Sequence, residues 1–378
     1  MSWDYVTLDK LGSISRGKSK HRPRNDKTLF GGKYPFIQTA DVKAAGLYLT
    51  EYTETYNDKG LAQSKLWPAG TLCITIAANI ADTTILGIDA CFPDSVMGFI
   101  PFEGVSNVKF VKYAFDILQR DCKKISQGTA QDNLSWKKLS TIKFPAPDIE
   151  IQDKIVSILS VYDDLIENNK KQIKLLEEAA QRLYKEWFVD LRFPGYENAP
   201  IIDGVPEGWK KANLPEISPI VTGKKDANFG TTYGKYLFFT CAQEPIKAPS
   251  FSFDCDAVIL AGNGDFNVKL YRGQFEAYQR TYVFSPYNSE NLYLLYYAVK
   301  ENMRQLFQGA SGSTIKFLTK RMLEEILVFV PDEGVLELFN QNCELFQKKI
   351  EALKAQISLA QEARDRLLPK LMSGEIEV

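Results

Sequence analysis

Residues Gly12-Ser13-Ile14-Ser15-Arg16-Gly17-Lys18-Ser19 match the phosphate-binding pattern GxxxxGK[ST] letter for letter. That chemistry needs a helix immediately afterwards, whose amides cradle the phosphates. Here Lys20-His21-Arg22-Pro23-Arg24-Asn25-Asp26 follows, a poor helix start with a central proline. A second stretch, Ser218 to Lys225, keeps Gly223-Lys224 but loses the first glycine and the hydroxyl. Nucleotide binding is therefore rejected for this segment. A different chemistry suits it better: residues 16–33 hold seven Lys/Arg and one acid, a local net of +6 in a chain whose total is −1. A basic loop rich in Gly, Pro and Asn can reach DNA phosphates and release counterions. The residues that would do so are Arg16, Lys18, Lys20, Arg22 and Arg24, with Lys224 and Lys225 in the equivalent later place. As an isolated charge run, the same loop would be only a solvated surface.

Further candidates can read bases. Asn263, Asn267, Gln279 and Arg280 lie in and after the turn Ala261 to Val268. Arg bonds guanine O6/N7 in bidentate fashion, and Asn or Gln does so with adenine N6/N7. Plain hairpin chemistry accounts for the same residue types. Asn79 ends an earlier strand in a comparable place, a weaker signal. The small-residue loops 126–131 and 309–316 hold Gln127, Thr129, Ser313 and Lys316, whose surroundings can contact phosphate or simply cap a helix. Nothing in the chain assembles a catalytic constellation: GxSxG is absent, and no glycine-rich methyltransferase cofactor loop or nuclease metal cluster is evident. Six cysteines without a CxxC pair and a single histidine, His21, argue against a zinc site and for reduced thiols in the cytoplasm. No apolar run approaches a bilayer span, and no secretory signal is visible at the N-terminus.

The elements that must position these residues are set out by an internal repeat. Trp3, Leu8, Leu11, Gly17 and Lys18 recur 206 residues later as Trp209, Leu214, Ile217, Gly223 and Lys224. Gly128, Leu134, Leu139, Ile142 and Pro147 recur 184 residues later as Gly312, Leu318, Leu323, Ile326 and Pro331. Each half starts β-rich, with strands expected at 71–77, 107–111, 236–240, 257–261 and 281–284, helices near 112–124 and 290–307, and closing strands at 141–144 and 326–330. A long helix follows in each case. In the first, Ile151, Ile155, Ile158, Tyr162, Ile166, Ile173, Leu176, Ala180, Leu183 and Trp187 form a stripe, with two successive steps of four that resemble a stutter. The second repeats it from Phe346 to Leu371. Asn169 and Arg364 are the two polar residues in the stripe, and the places to look for something other than packing.

Both helices have acidic starts and basic later segments, so antiparallel pairing sets unlike charges side by side. The expected fold is α+β: two repeated β-rich domains joined by two long helices in an antiparallel coiled coil, pseudo-two-fold, with the heads at opposite ends of a rod about 55 Å long. The expected boundaries are 1–147 and 209–331 for the β-rich domains, 148–188 and 332–378 for the helices, and 189–208 for a Pro/Gly-rich linker.

In this order, the unit openings at Trp3 and Trp209, Ile151-Gln152-Asp153-Lys154-Ile155-Val156, Trp187-Phe188-Val189-Asp190-Leu191-Arg192-Phe193-Pro194-Gly195, and the ending Leu367 to Gly374 resemble a specificity subunit of a Type I restriction–modification system over essentially the whole chain. The second helix start departs from the pattern, since Gly334-Val335-Leu336-Glu337 lacks the glutamine. The resemblance implies two target-recognition domains, each reading half of a bipartite site in double-stranded DNA. It implies docking of methylation subunits, two of them, on the helices, for which Asp163, Asp164, Trp187 and Phe188 are the candidate contacts. Those subunits would bind S-adenosylmethionine and flip a target adenine. Separate restriction subunits would use ATP and Mg, and this chain would be non-catalytic, cofactor-free, cytoplasmic and without membrane contact. The competing reading is a coiled-coil scaffold with two protein-binding heads.

Overall fold

The computed structural model describes the chain except residues 1–2, 77–81, 126–138, 265, 311 and 313–315, together with the side chains of 120–125. Two compact units result: Met1–Lys171 with Lys354–Val378, and Gln172–Leu353. Both units are built to one plan.

In the first unit, strand Tyr5–Thr7 pairs antiparallel with Lys143–Pro145, clasping the start of the β-rich part to its end. Helix Leu8–Leu11 leads into strand Gly12–Arg16, which edges a sheet ordered Gly12–Arg16, Val96–Pro101, Leu72–Thr75, Thr83–Leu86, Tyr48–Leu49. A four-stranded sheet, Glu54–Tyr56, Phe30–Phe36, Ala90–Cys91, Leu66–Trp67, completes the unit's β part. Helix Val108–Ile125 closes the core with buried Phe110, Val111, Ala114 and Phe115. The second unit repeats this with Lys210–Asn213 clasped to Leu327–Val330, helix Leu214–Ile217, edge strand Val221–Thr222 against Thr281–Phe284, and helix Leu292–Gly309. Its sheet has six strands, continuing through Phe253–Ala261, Val268–Ala277, Tyr236–Phe239 and Ile246–Ala248.

Three sequence expectations change. Residues 107–111 are not a strand: Asn107 Oδ1 accepts from Lys109 N at 2.9 Å, and the Val-Lys-Phe-Val run opens a helix. An Asn cap supplies an acceptor for otherwise orphaned amides, which outweighs the β propensity of four residues. The stretch expected to be an unpacked linker carries a short hairpin, Ile201–Ile202 with Val205–Pro206, and buries Phe193 against Trp209 at a ring separation of 4.7 Å. The stutter also disappears. Ile158 is 36% exposed, while Gln152, Val156, Leu159, Asp163 and Ile166 are all buried, so the seam runs 152, 156, 159, 163, 166 in alternating steps of four and three. An aspartate in the seam made the apolar pattern look shifted.

The long helices are Ile149–Tyr184, prolonged by a wider turn Lys185–Val189, and Glu333–Met372. Within the first unit Asp163 meets Arg364 and Asn169 meets Gln356, so one sequence rises as the other falls and the pairing is antiparallel. Within the second unit Tyr184, Trp187 and Phe188 all pack on Phe339, near the start of the other helix, in the same antiparallel sense. Gln152 explains the glutamine at the first helix start. Fully buried, it accepts from Asn107 N at 3.0 Å and donates to Val105 O and Pro147 O at 3.0 and 2.8 Å. It ties helix to β-rich part through backbone groups that would otherwise be unpaired. In the other repeat the equivalent position is Leu336, 4% exposed, and apolar packing does the same work.

Candidate nucleic-acid interface

The second unit gathers its candidates at one place. Gly223 N donates to Thr281 O at 3.1 Å, and Gln279 N donates to Lys225 O at 2.9 Å. Gly262 N donates to Arg280 O at 2.8 Å, Gly264 N donates to Lys316 O at 3.2 Å, and Asn267 Nδ2 donates to Cys241 O at 3.1 Å. Lys224, Lys225, Asn263, Asn267, Gln279, Arg280 and Lys316, far apart in sequence, thus share one hydrogen-bonded rim. Lys224, Gln279 and Arg280 are exposed, and Gln279 Nε2 is held by Asp226 at 2.6 Å. Two lysines are steadied by aromatic rings: Lys225 lies 4.5 Å from the Phe229 centroid and Lys316 lies 4.0 Å from that of Phe307. Lys269, which the sequence did not single out, joins the rim by donating to Ala242 O at 2.9 Å and to Asn267. Burial lowers its ammonium from the usual lysine value. A rim of this kind offers cations for phosphate beside amides and a guanidinium for base edges.

In the first unit, Gly12–Arg16 is a β-strand with no helix after it, so the cradle a nucleotide requires is missing. The Gly-Lys repeat has a different cause. A Cβ on Gly17 would lie 2.4 Å from Phe92 O and Pro93 O, and one on Gly223 would lie 2.0 Å from Ala277 O and 2.5 Å from Tyr278 O. Both glycines allow one chain segment to press onto a turn. The turns correspond bond for bond: Gly17 N donates to Val96 O as Gly223 N does to Thr281 O, and Val96 N donates to Pro93 O as Thr281 N does to Tyr278 O. Asp94-Ser95 is therefore the first unit's counterpart of Gln279-Arg280, a match invisible in sequence because the residues differ in type. Of the basic loop, Arg16, Lys20, Arg22 and Arg24 are exposed and Lys18 is half-buried. Arg24 is paired with Asp94 at 2.6 Å, and Arg22 donates to Ser19 O and His21 O at 2.7 and 2.8 Å, so these two are fixed rather than loose. Asn79, Gln127, Thr129 and Ser313 lie outside the described residues.

A family model described as "Type I restriction modification DNA specificity domain" matches residues 2–178. The Type I restriction enzyme HindI specificity subunit of Haemophilus influenzae is 40% identical, the match covering 64% of this chain and 71% of that one. The chain belongs to the family of Type I restriction enzyme specificity subunits. The MjaIX specificity subunit of Methanocaldococcus jannaschii is 24% identical across 100% of this chain and 94% of its own length. The crystal structure of the S subunit from M. genitalium shares the fold with a TM-score of 0.54 at 18% identity, covering 98% of this chain and 96% of that one.

In this specificity subunit, three of the four expected docking residues on the helices point inward. Trp187 and Phe188 are 8% and 1% exposed and belong to the second unit's aromatic core. Asp163 accepts from Arg364 Nη1 at 2.7 Å and from the Tyr113 hydroxyl at 2.5 Å. Burial, with the Asp163 charge beside it, pushes the Tyr113 hydroxyl far above the ordinary tyrosine range, so it stays a donor. Asp164 alone is exposed. The residues sequence reasoning passed over are aliphatic: Val161 and Leu345 are 65% and 68% exposed, and Leu175 and Leu359 are 64% and 66% exposed. Each pair is separated by 184 residues, so the repeats expose the same two positions. No helix among the described residues is long and apolar enough to cross a membrane, and they contain no cluster of three metal-binding side chains.

Proposed function

We propose that this specificity subunit reads a bipartite site in double-stranded DNA, one half with each β-rich unit, and directs adenine methylation, and cleavage, by partner subunits. The observation that carries this reading is the rim that unites Lys224, Lys225, Asn263, Asn267, Gln279 and Arg280, whose glycine turn is matched bond for bond in the first unit. Lysines there take phosphate and set the register, while Arg280 and Gln279 address base edges. Asn79, Gln127, Thr129 and Ser313 keep the roles their types suggest. The chain itself does no chemistry and holds no cofactor: S-adenosylmethionine, ATP and Mg belong to methylation and restriction subunits.

Two methylation subunits dock on the helices, one per repeat. The duplicated exposed aliphatic positions Val161/Leu345 and Leu175/Leu359 support one partner seen twice, since isolated exposed residues of this kind need no such register. The domain boundaries given above and a cytoplasmic location go with this reading. Genome-wide mapping of methylated adenines, in cells expressing the chain with its methylation partner, tests it. A split motif with a fixed gap is expected, and Arg280→Ala should alter one half only. No motif, or equal loss in both halves, refutes direct readout. The scaffold alternative predicts no salt-dependent DNA affinity of the assembly.

A further inference from the structure

We infer that Gln38, held in place by Glu54, reads an adenine edge in the half-site bound by the first unit; this rests on the DNA-reading function proposed above. The topology supplies the location. Strand Phe30–Phe36 runs parallel to Ala90–Cys91 with Phe36 opposite Cys91, as Tyr236–Phe239 runs parallel to Val268–Ala277 with Phe238 opposite Glu276. One residue past each pairing, Ile37 donates its N–H to Cys91 O and Phe239 accepts at its carbonyl from Tyr278 N, so the two strands leave the ladder at Ile37 and Phe239. The chain leaving the first strand, Gln38-Thr39, thus takes the place of Thr240-Cys241, whose carbonyl and thiol touch Asn267 and Arg280 O in the second unit's rim. Gln38 therefore lies where the second unit keeps its base-reading candidates.

The chemistry supplies the ligand. Gln38 Nε2 donates to Glu54 Oε2 at 2.7 Å, and Gln38 forms a capping box with Asp41, whose carboxylate accepts from Gln38 N at 2.7 Å. An amide fixed in this way still has one N–H and one oxygen lone pair to offer. One donor beside one acceptor is the complement of adenine N7 and N6 in the major groove. Both side chains are exposed on a cleft of about 670 Å³, which Arg24 and Lys27 also line. A carboxylate so placed repels phosphate, which leaves the backbone to the cations and the base edge to the amide. Glu54 is a positioning residue, since it holds the amide that makes the contact.

The test is adenine-methylation mapping and DNA-binding measurement on the full chain with its methylation partner, comparing wild type with Gln38→Ala, Gln38→Glu, Glu54→Ala and Glu54→Gln. Arg280→Ala marks the other half-site. Gln38→Ala is expected to relax one A·T position in the half that Arg280→Ala leaves alone, cutting discrimination there about 5- to 150-fold, the worth of one bidentate contact. Gln38→Glu, which cannot donate to Glu54 and is repelled by its carboxylate, should lose the adenine preference as Gln38→Ala does. Glu54→Ala should behave like Gln38→Ala, and Glu54→Gln, which keeps an acceptor, should retain most of the selectivity. A wild-type motif that both Gln38 variants leave intact overturns the inference alone, as does relaxation at a G·C position or in both halves. A wild-type complex with no motif overturns the reading of the chain and this inference with it.

Discussion

The Asp163–Arg364 pair gives the sharpest energetic prediction, because its two members are unequally exposed. Asp163's side chain is 3% exposed, with Tyr113 as its other partner; that of Arg364 is 27% exposed and also reaches Asp365 at 3.1 Å. Removing one partner of a buried pair costs about 3–5 kcal/mol, because the other charge is left without compensation. In Arg364→Met the stranded carboxylate keeps only the Tyr113 hydrogen bond, so about 3 kcal/mol of destabilisation is expected, at the lower end of that range. In Asp163→Leu the guanidinium keeps Asp365 and water, but the buried Tyr113 hydroxyl loses its acceptor, so a loss of about 1–3 kcal/mol is expected. The double variant removes both charges and leaves only the Tyr113 hydroxyl unpaired, so it should lose no more than Asp163→Leu alone. Hydrogen exchange of the 149–171 and 354–372 amides, alongside urea unfolding followed by circular dichroism, reads all three. The reasoning fails if Arg364→Met lies within about 0.5 kcal/mol of wild type, or if the single effects simply add in the double variant.

Other expectations follow from the same contacts. Gly223→Ala or Gly17→Ala forces a Cβ onto backbone oxygens, so each should destabilise its unit by about 1–3 kcal/mol and weaken DNA binding by the assembly, checked by thermal melting and fluorescence anisotropy. Each of Lys18, Lys20, Lys224 and Lys225 that contacts phosphate should, when changed to Ala, lower the slope of log affinity against log salt by about 0.9. The Tyr293 hydroxyl, followed by Arg272, holds the Glu344 carboxyl below its ordinary value of 4.5. A depressed folded value stabilises the unit above the ordinary range and ceases to do so as pH falls through the folded value. Glu344→Gln should therefore flatten the loss of stability below about pH 4.5 in acid-unfolding curves, and an unchanged acid limb would show that the contact contributes nothing. Val161→Asp and Leu345→Asp should each remove one methylation subunit from the assembly by native mass spectrometry, and the double change should remove both.

How much of this the sequence disclosed depended on the range of the interactions involved. The repeat and the helices were legible because periodicity and spacing are local properties of the chain, and Trp3/Trp209 or Gly17/Gly223 needed only a constant offset. Residues 107–111 were misread because a short run of Val and Phe suits either element, and only the bond from Lys109 N to Asn107 Oδ1 decides. The rim of the second unit was partly visible, since Asn263, Asn267, Gln279 and Arg280 lie within 18 consecutive residues. Its first-unit counterpart was not. There Gly17 meets Pro93 and Gln38 meets Glu54, contacts that depend on sheet order and that no spacing rule encodes.

Asp163 shows the same limit from the opposite direction. As one of two adjacent acids on a helix it reads as a solvated or partner-facing surface, and the apolar residues beside it suggest a shifted stripe. Its partner Arg364, 201 residues away, was already marked as the exception in the second stripe. Two polar exceptions in antiparallel helices fall opposite each other when their position numbers have a constant sum: 163 + 364 = 527, close to the 525 given by Asn169 and Gln356. Once the Asn169–Gln356 contact is known, that sum brings Arg364 to within two residues of Asp163 and moves the stripe from Ile158 to Leu159. In paired helices of this kind, a charged residue that seems to break one stripe should be tested against the exception in the other before it is assigned to the surface.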